Sequence, residues 1–133
     1  MIEINESLEK LPALHDLKPS EQTLIIFDDM VLDIKKFPII SEYFIRGRKR
    51  GCSLMFLSQS YYNTPKVIRQ NINYCVILKL GGTRDVNSIL RECSIGLTKD
   101  ELLYMHQQAT KQKFDVFIIN LDKSGNERYR HNF

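Results

Sequence analysis

Residues 23–60 carry the pattern that most narrows the possible folds. An apolar run, Thr23-Leu24-Ile25-Ile26-Phe27, leads into Asp28-Asp29, then a helix-like segment, then a second run, Ser53-Leu54-Met55-Phe56-Leu57, and the polar triplet Ser58-Gln59-Ser60. Unbroken apolar runs of this length suit strands buried on both faces, and a helix between two of them makes a β-α-β unit with parallel strands. Both strands would then end on one edge of a sheet. One end carries paired carboxylates, the other a hydroxyl and an amide. Open α/β sheets bind ligands in the crevice beyond such carboxyl ends.

The rest of the chain extends this pattern. From Pro38, the positions Ile40, Tyr43, Phe44 and Gly47 fall on one helical face, and Gly51 suits the C-terminal stop. Thr64-Pro65 reads as an N-cap and first turn. Tyr74–Leu80 is a third strand, closed by Gly81-Gly82. Val86, Ile89, Leu90 and Cys93 mark another helical face, and Thr98 with Glu101 forms a capping-box pattern ahead of Leu102, Leu103, His106 and Ala109. Asp115–Leu121 is a fourth strand. The expected class is α/β with a mostly parallel, three-layer sheet covered on both faces. Residues 1–22, with Leu8, Leu11 and Leu14, form an ill-defined N-terminal segment. Residues 23–122 hold the domain, and residues 123–133 a turn and a polar tail.

At 133 residues and 43% hydrophobic, one globular core is expected. A net charge of +3 is too mild to imply a nucleic-acid partner by itself. Cys52, Cys75 and Cys93 are widely spaced, with no metal-like pattern, and predict a reducing, intracellular setting. Apolar stretches are far shorter than the roughly 20 residues that span a bilayer.

Each candidate residue carries a plain structural alternative. Asp28 and Asp29 could share one site only if the strand ends near Asp28, because neighbouring strand side chains point to opposite faces. An acid so placed can hold Mg²⁺ through water, and a second can orient or deprotonate an attacking water. Aspartate is also a common turn residue after a strand. Asp33 reads as the opening of a helix. Gln59 can both donate to and accept from a water molecule, although polar residues end many strands. Arg46, Arg48, Lys49 and Arg50 suit the negative end of a helix; alternatively an arginine reaches the γ-phosphate of a neighbouring subunit, or the cluster touches a DNA backbone. Arg69 and Asn71 read as structural caps, with a place at the same sheet edge as the alternative. Tyr61 and Tyr62 read as packing under a loop, with base stacking as the alternative.

Three segments carry a family resemblance: "TLIIFDDM", "SEYFIRGRKRGCSLMFLSQSYYNTPKVIRQN" and "FDVFIINLD". Together they resemble the poxvirus-type genome-packaging ATPases, of the FtsK–HerA branch of the P-loop NTPases, over roughly residues 20–122. The resemblance implies a RecA-like P-loop fold, incomplete at the N-terminus, because no Gly-x-x-x-x-Gly-Lys-Ser/Thr loop occurs in the 133 residues. It implies ATP and Mg²⁺ as cofactors. Asp28 would hold Mg²⁺ through water, with Ser58 beside the nucleotide. Asp29 and Gln59 would handle the lytic water, and Arg46, Arg48 or Arg50 would supply an inter-subunit finger. Double-stranded DNA, self-association into a ring and a capsid or portal protein are the implied partners, at a virus assembly site or in the host cytoplasm. Without a phosphate loop, the chain alone is expected to bind ATP weakly or not at all.

Two readings compete. A catalytically inactive, P-loop-derived interaction module fits the missing loop. A phospho-receiver also uses an acidic pair, with Ser58 and Lys79 imitating its hydroxyl and lysine, but its second strand should end in aspartate rather than Ser58.

Overall fold

Alternation along Thr23–Asp28 decides which face of the first strand is covered. A computed structural model describes residues 8–29 and 37–132 of the chain. Strand β1 (Thr23–Asp28) turns Phe27 inward and leaves Leu24, Ile26 and Asp28 exposed. It pairs in parallel with β2 (Cys52–Leu57), in a register running from Thr23 opposite Cys52 to Asp28 opposite Leu57. Between them runs helix α1 (Phe37–Arg46), followed by a 3₁₀ turn, Gly47–Arg50. The expected β-α-β unit is therefore present.

The helix buries Ile40, Tyr43 and Phe44 at i, i+3 and i+4. Phe27 meets Tyr43 edge-on and packs against Phe44, whose ring also contacts Phe56. Phe27 is 2% exposed and Ile40 fully buried, and side chains of this size stabilise by about 1.5–3 kcal/mol each when buried. The Tyr43 hydroxyl donates to the Pro12 carbonyl, tying the N-terminal segment to the helix. Gly51 ends the 3₁₀ turn at φ +71°, and a Cβ there would lie 2.8 Å from the Glu21 carbonyl. Only glycine fits both conditions. These elements, with the short helix α2 (Lys66–Arg69), make one compact unit, whose described residues are 8–29, 37–59 and 64–71. Thr64 does not cap α2, since Pro65 occupies that position with no side-chain cap bond.

The described residues of a second compact unit are 60–63 and 72–132. Its sheet is antiparallel, with β4 (Phe117–Asn120) between β3 (Tyr74–Ile77) and β5 (Tyr129–His131). This corrects the expectation of a mostly parallel sheet. Two helices, α3 (Thr83–Cys93) and α4 (Lys99–Ala109), separate β3 from β4. One crossover helix returns the chain to its starting edge, and a second carries it back, so β4 enters antiparallel. Only residues 121–128 separate β4 from β5, too few for a parallel crossover. Strand β5 lies in the segment read as a polar tail.

The core of this unit gathers Cys75, Ile77, Ile89, Leu90, Cys93, Leu102, Ala109, Phe117 and Ile119. Both cysteines are buried here, and all three in the chain are free. A hydrogen bond between the two thiols holds that of Cys93 below its ordinary value and pushes that of Cys75 above it. Arg128 is buried and donates to the carbonyls of Cys93, Lys123 and Leu121, binding β5's approach to the end of α3. The Thr98–Glu101 capping box is present as expected.

Coverage of both faces fails in the parallel pair. Leu24 (59%), Ile26 (52%), Met55 (45%) and Leu57 (42%) stay exposed on the face away from α1. Among the described residues this sheet has no third strand.

Candidate functional site

The parallel register brings two expected residues to one edge. Strand β1 ends at Asp28 and β2 ends at Leu57, its register partner, so Ser58 and Gln59 leave the sheet where Asp28 does. Neighbouring strands lie about 4.8 Å apart. Asp29 takes a left-handed conformation, φ +50°, which aspartate tolerates better than most residues. That turn ends strand alternation at Asp28, the condition for both carboxylates to act at one place. Asp28, Asp29, Ser58 and Gln59 are all exposed. The side chains of Asp28, Asp29 and Gln59 make no hydrogen bond or ion pair among the described residues.

This edge suits a hydrated divalent cation. Mg²⁺ needs few protein oxygens, because it retains much of its water and is commonly held through one or two carboxylates plus substrate phosphates. Asp28 is the exposed strand-tip carboxylate that could serve in this way. Among the described residues no three histidine, cysteine or acidic side chains cluster as a complete metal cage. Asp33, expected to open a helix, lies outside the described residues.

The arginines sit elsewhere. Gly47 packs against β2, where an added Cβ would lie 3.3 Å from Cys52 Cβ, and the Gly51 carbonyl accepts from the Thr23 amide. The 3₁₀ turn carrying Arg48, Lys49 and Arg50 therefore lies at the N-terminal ends of β1 and β2. Five residue steps of strand separate that end from Asp28, about 16 Å. Arg46 also pairs with Glu42 at 3.0 Å, on the exposed helix face. Arg46, Arg48 and Arg50 thus do not join the carboxylate edge of their own chain.

The polar triplet divides. Ser60 belongs to the second unit, where its hydroxyl donates to Asp85 at 2.9 Å. Asp85 also accepts from the Tyr62 amide at 2.7 Å, and Ser60 accepts from the Asn63 amide. Asp85 was not singled out by sequence reasoning. Its only signal there is an acid in the first turn of a helix, which dipole complementarity explains equally well. Tyr62 lies under the Arg84 guanidinium, 3.8 Å from the ring centre, and the Tyr61 hydroxyl contacts Cys93 and Glu92. Arg69 donates to the Thr64 carbonyl and Asn71 to that of Val67, the structural roles expected of them.

Comparison with known proteins gives one family. The family model described as poxvirus A32 protein matches residues 1–130. No curated protein and no solved structure matches the chain.

Proposed function

This chain belongs to the poxvirus A32 protein family, that of viral genome-packaging ATPases, and on that premise we propose that it forms the C-terminal part of an ATP-driven motor domain that moves double-stranded DNA. The carrying observation is the register that sets Asp28 beside Leu57, so that a free carboxylate and the Gln59 amide leave one sheet edge together.

In this reading the domain is of the P-loop, FtsK–HerA type. Mg²⁺, when bound, would supply charge neutralisation to the phosphates of ATP. Asp28 would hold it through water, and Ser58 would stand beside the nucleotide. Asp29 accepts a proton from, or orients, the attacking water, while Gln59 fixes that water by donating and accepting at once. The phosphate loop itself comes from a segment outside these 133 residues, which contain no Gly-x-x-x-x-Gly-Lys-Ser/Thr motif. Arg46, Arg48 or Arg50 serves a neighbouring subunit in a ring, since about 16 Å of strand separates the cluster from its own Asp28. Capsid or portal protein is the docking partner in this picture. No helix of the described residues is long and apolar enough to cross a membrane.

The missing loop also favours one alternative, an interaction module without hydrolysis. A single substitution separates the two. In the assembled motor, Asp28→Asn should abolish DNA-stimulated ATP hydrolysis while leaving ring assembly intact. Unchanged hydrolysis would sink the motor reading of this edge.

A further inference from the structure

A second site emerges within the unit of residues 60–63 and 72–132. A cavity of about 550 Å³ opens between α4 and the segment that joins β3 to α3. Three lysines line it: Lys79 after β3, Lys99 at the start of α4 and Lys111 just past its end. No aspartate or glutamate lines it, although the chain holds 16. Lys79, Lys99 and Lys111 form no ion pair among the described residues, in contrast to Lys18 and Lys123. A wall of one sign with no compensating charge concentrates anions.

The remaining lining suits phosphate oxygens. Gly81 and Gly82 precede the first turn of α3, and a Cβ at either would meet nothing within 4 Å, so their backbone faces open space. Gly82 is the N-cap and supplies no side-chain cap, leaving the first amides of an 11-residue helix to seek an acceptor. Thr83, Asn87 and Gln107 add neutral polar groups to the same wall. The floor is apolar, from Leu80, Val86 and Leu103, with His106 held by its bond to the Leu78 carbonyl.

Length selects the ligand. Helix α4 rises about 16 Å over its 11 residues, so Lys99 and Lys111 bracket a groove that a single phosphate or a triphosphate tail cannot fill from end to end. A sugar–phosphate strand can. We propose that this groove binds the phosphodiester backbone of nucleic acid, with Lys79, Lys99, Lys111 and the Gly81–Thr83 amides as its contacts. In naming nucleic acid the proposal rests on the packaging function; the lysine lining stands without it.

The test uses the full chain and a labelled DNA duplex, titrated by fluorescence anisotropy across a salt series. Substituting all of Lys79, Lys99 and Lys111 by alanine should weaken binding at least tenfold at low salt. It should also reduce the slope of log affinity against log salt by about 2–3, given roughly 0.9 per phosphate contact. Alanine at Lys10, Lys113 and Lys123, none of which lines the cavity, removes equal charge and should leave affinity within about threefold, a difference too small to reflect three lost contacts. Amide resonances of Gly81, Gly82 and Thr83 should shift on adding duplex, and unchanged thermal midpoints would show that the variants fold. Equal loss in both triple variants, or no duplex binding by the native chain, overturns the groove. Saturable binding of tripolyphosphate without duplex binding overturns nucleic acid as its ligand. None of these failures touches the hydrolysis assigned to Asp28, which is read from ATP turnover.

Discussion

Gln59 stands two residues beyond Leu57, the register partner of Asp28, so the amide and the carboxylate reach solvent from adjacent strands at one edge. Ser60, one residue further, is held by Asp85 in the other unit. The two neighbours should therefore behave differently when altered. In the assembled motor, Gln59→Ala should slow ATP turnover by about 10²–10⁴-fold, the range for lost water-positioning and proton-transfer groups. Ser60→Ala should lower the thermal midpoint and leave turnover within a few fold. Steady-state hydrolysis beside a thermal melt checks both, and equal kinetic losses would contradict the division.

The separation between the arginine turn and Asp28 predicts complementation between subunits. Rings of Arg48→Ala/Arg50→Ala chains alone should be inactive, as should rings of Asp28→Asn chains alone. Mixed rings should regain part of the activity, because each defect is covered by a neighbour at some interfaces. Titrating one variant into the other and following ATP hydrolysis tests this. Activity that never rises above either parent would place the arginines in another role.

Gly51 offers a test of the fold itself. An alanine there meets both a left-handed backbone and the Glu21 carbonyl, so Gly51→Ala should destabilise by about 2 kcal/mol or more. Chemical denaturation of the two chains measures it. A change below about 0.5 kcal/mol, the scatter of ordinary surface substitutions, would show that the turn relaxes freely.

Acid should weaken the second unit through two carboxylates. The Glu101 carboxylate is held below its ordinary range by the Thr98 amide and hydroxyl, and that of Asp115 by Asn132, with His131 adding to it. Groups with depressed folded values contribute stability above their unfolded pKa. That contribution disappears as pH falls through the folded value. Stability should therefore drop as pH is lowered below the normal carboxylate range, and Glu101→Gln should flatten that dependence. Removing the cap with Thr98→Ala should cost about 1 kcal/mol near neutrality. Urea titrations at several pH values provide the measurement.

Local order was readable where one signal decided it. The β-α-β unit followed from two apolar runs bracketing Ile40, Tyr43 and Phe44, and the α4 cap from Thr98 and Glu101 alone. Sheet direction at β3 was missed although both helices ahead of β4 were legible, because the direction in which β4 enters depends on the spatial path those helices take and not on their number alone. Strand β5 escaped notice because Tyr129–His131 is short and its pairing partner, Phe117–Ile119, supplies nearly all the apolar character. For the carboxylate edge, Asp28, Asp29 and Gln59 were visible as strand endings. The lysine groove was invisible: Lys79, Lys99 and Lys111 are scattered over 33 residues and meet only because α4 folds back beside the 79–83 segment.

The bare side of the β1–β2 pair bears on how the polypeptide can be handled. Four large greasy side chains exposed together make it adhesive, and a ladder with no third strand among the described residues adds hydrogen-bonding groups that other strands can recruit. Purified by itself at high concentration, the polypeptide should therefore clump, and polar replacements at Ile26 and Met55 should improve its recovery without disturbing Phe27 or Ile40 on the opposite side.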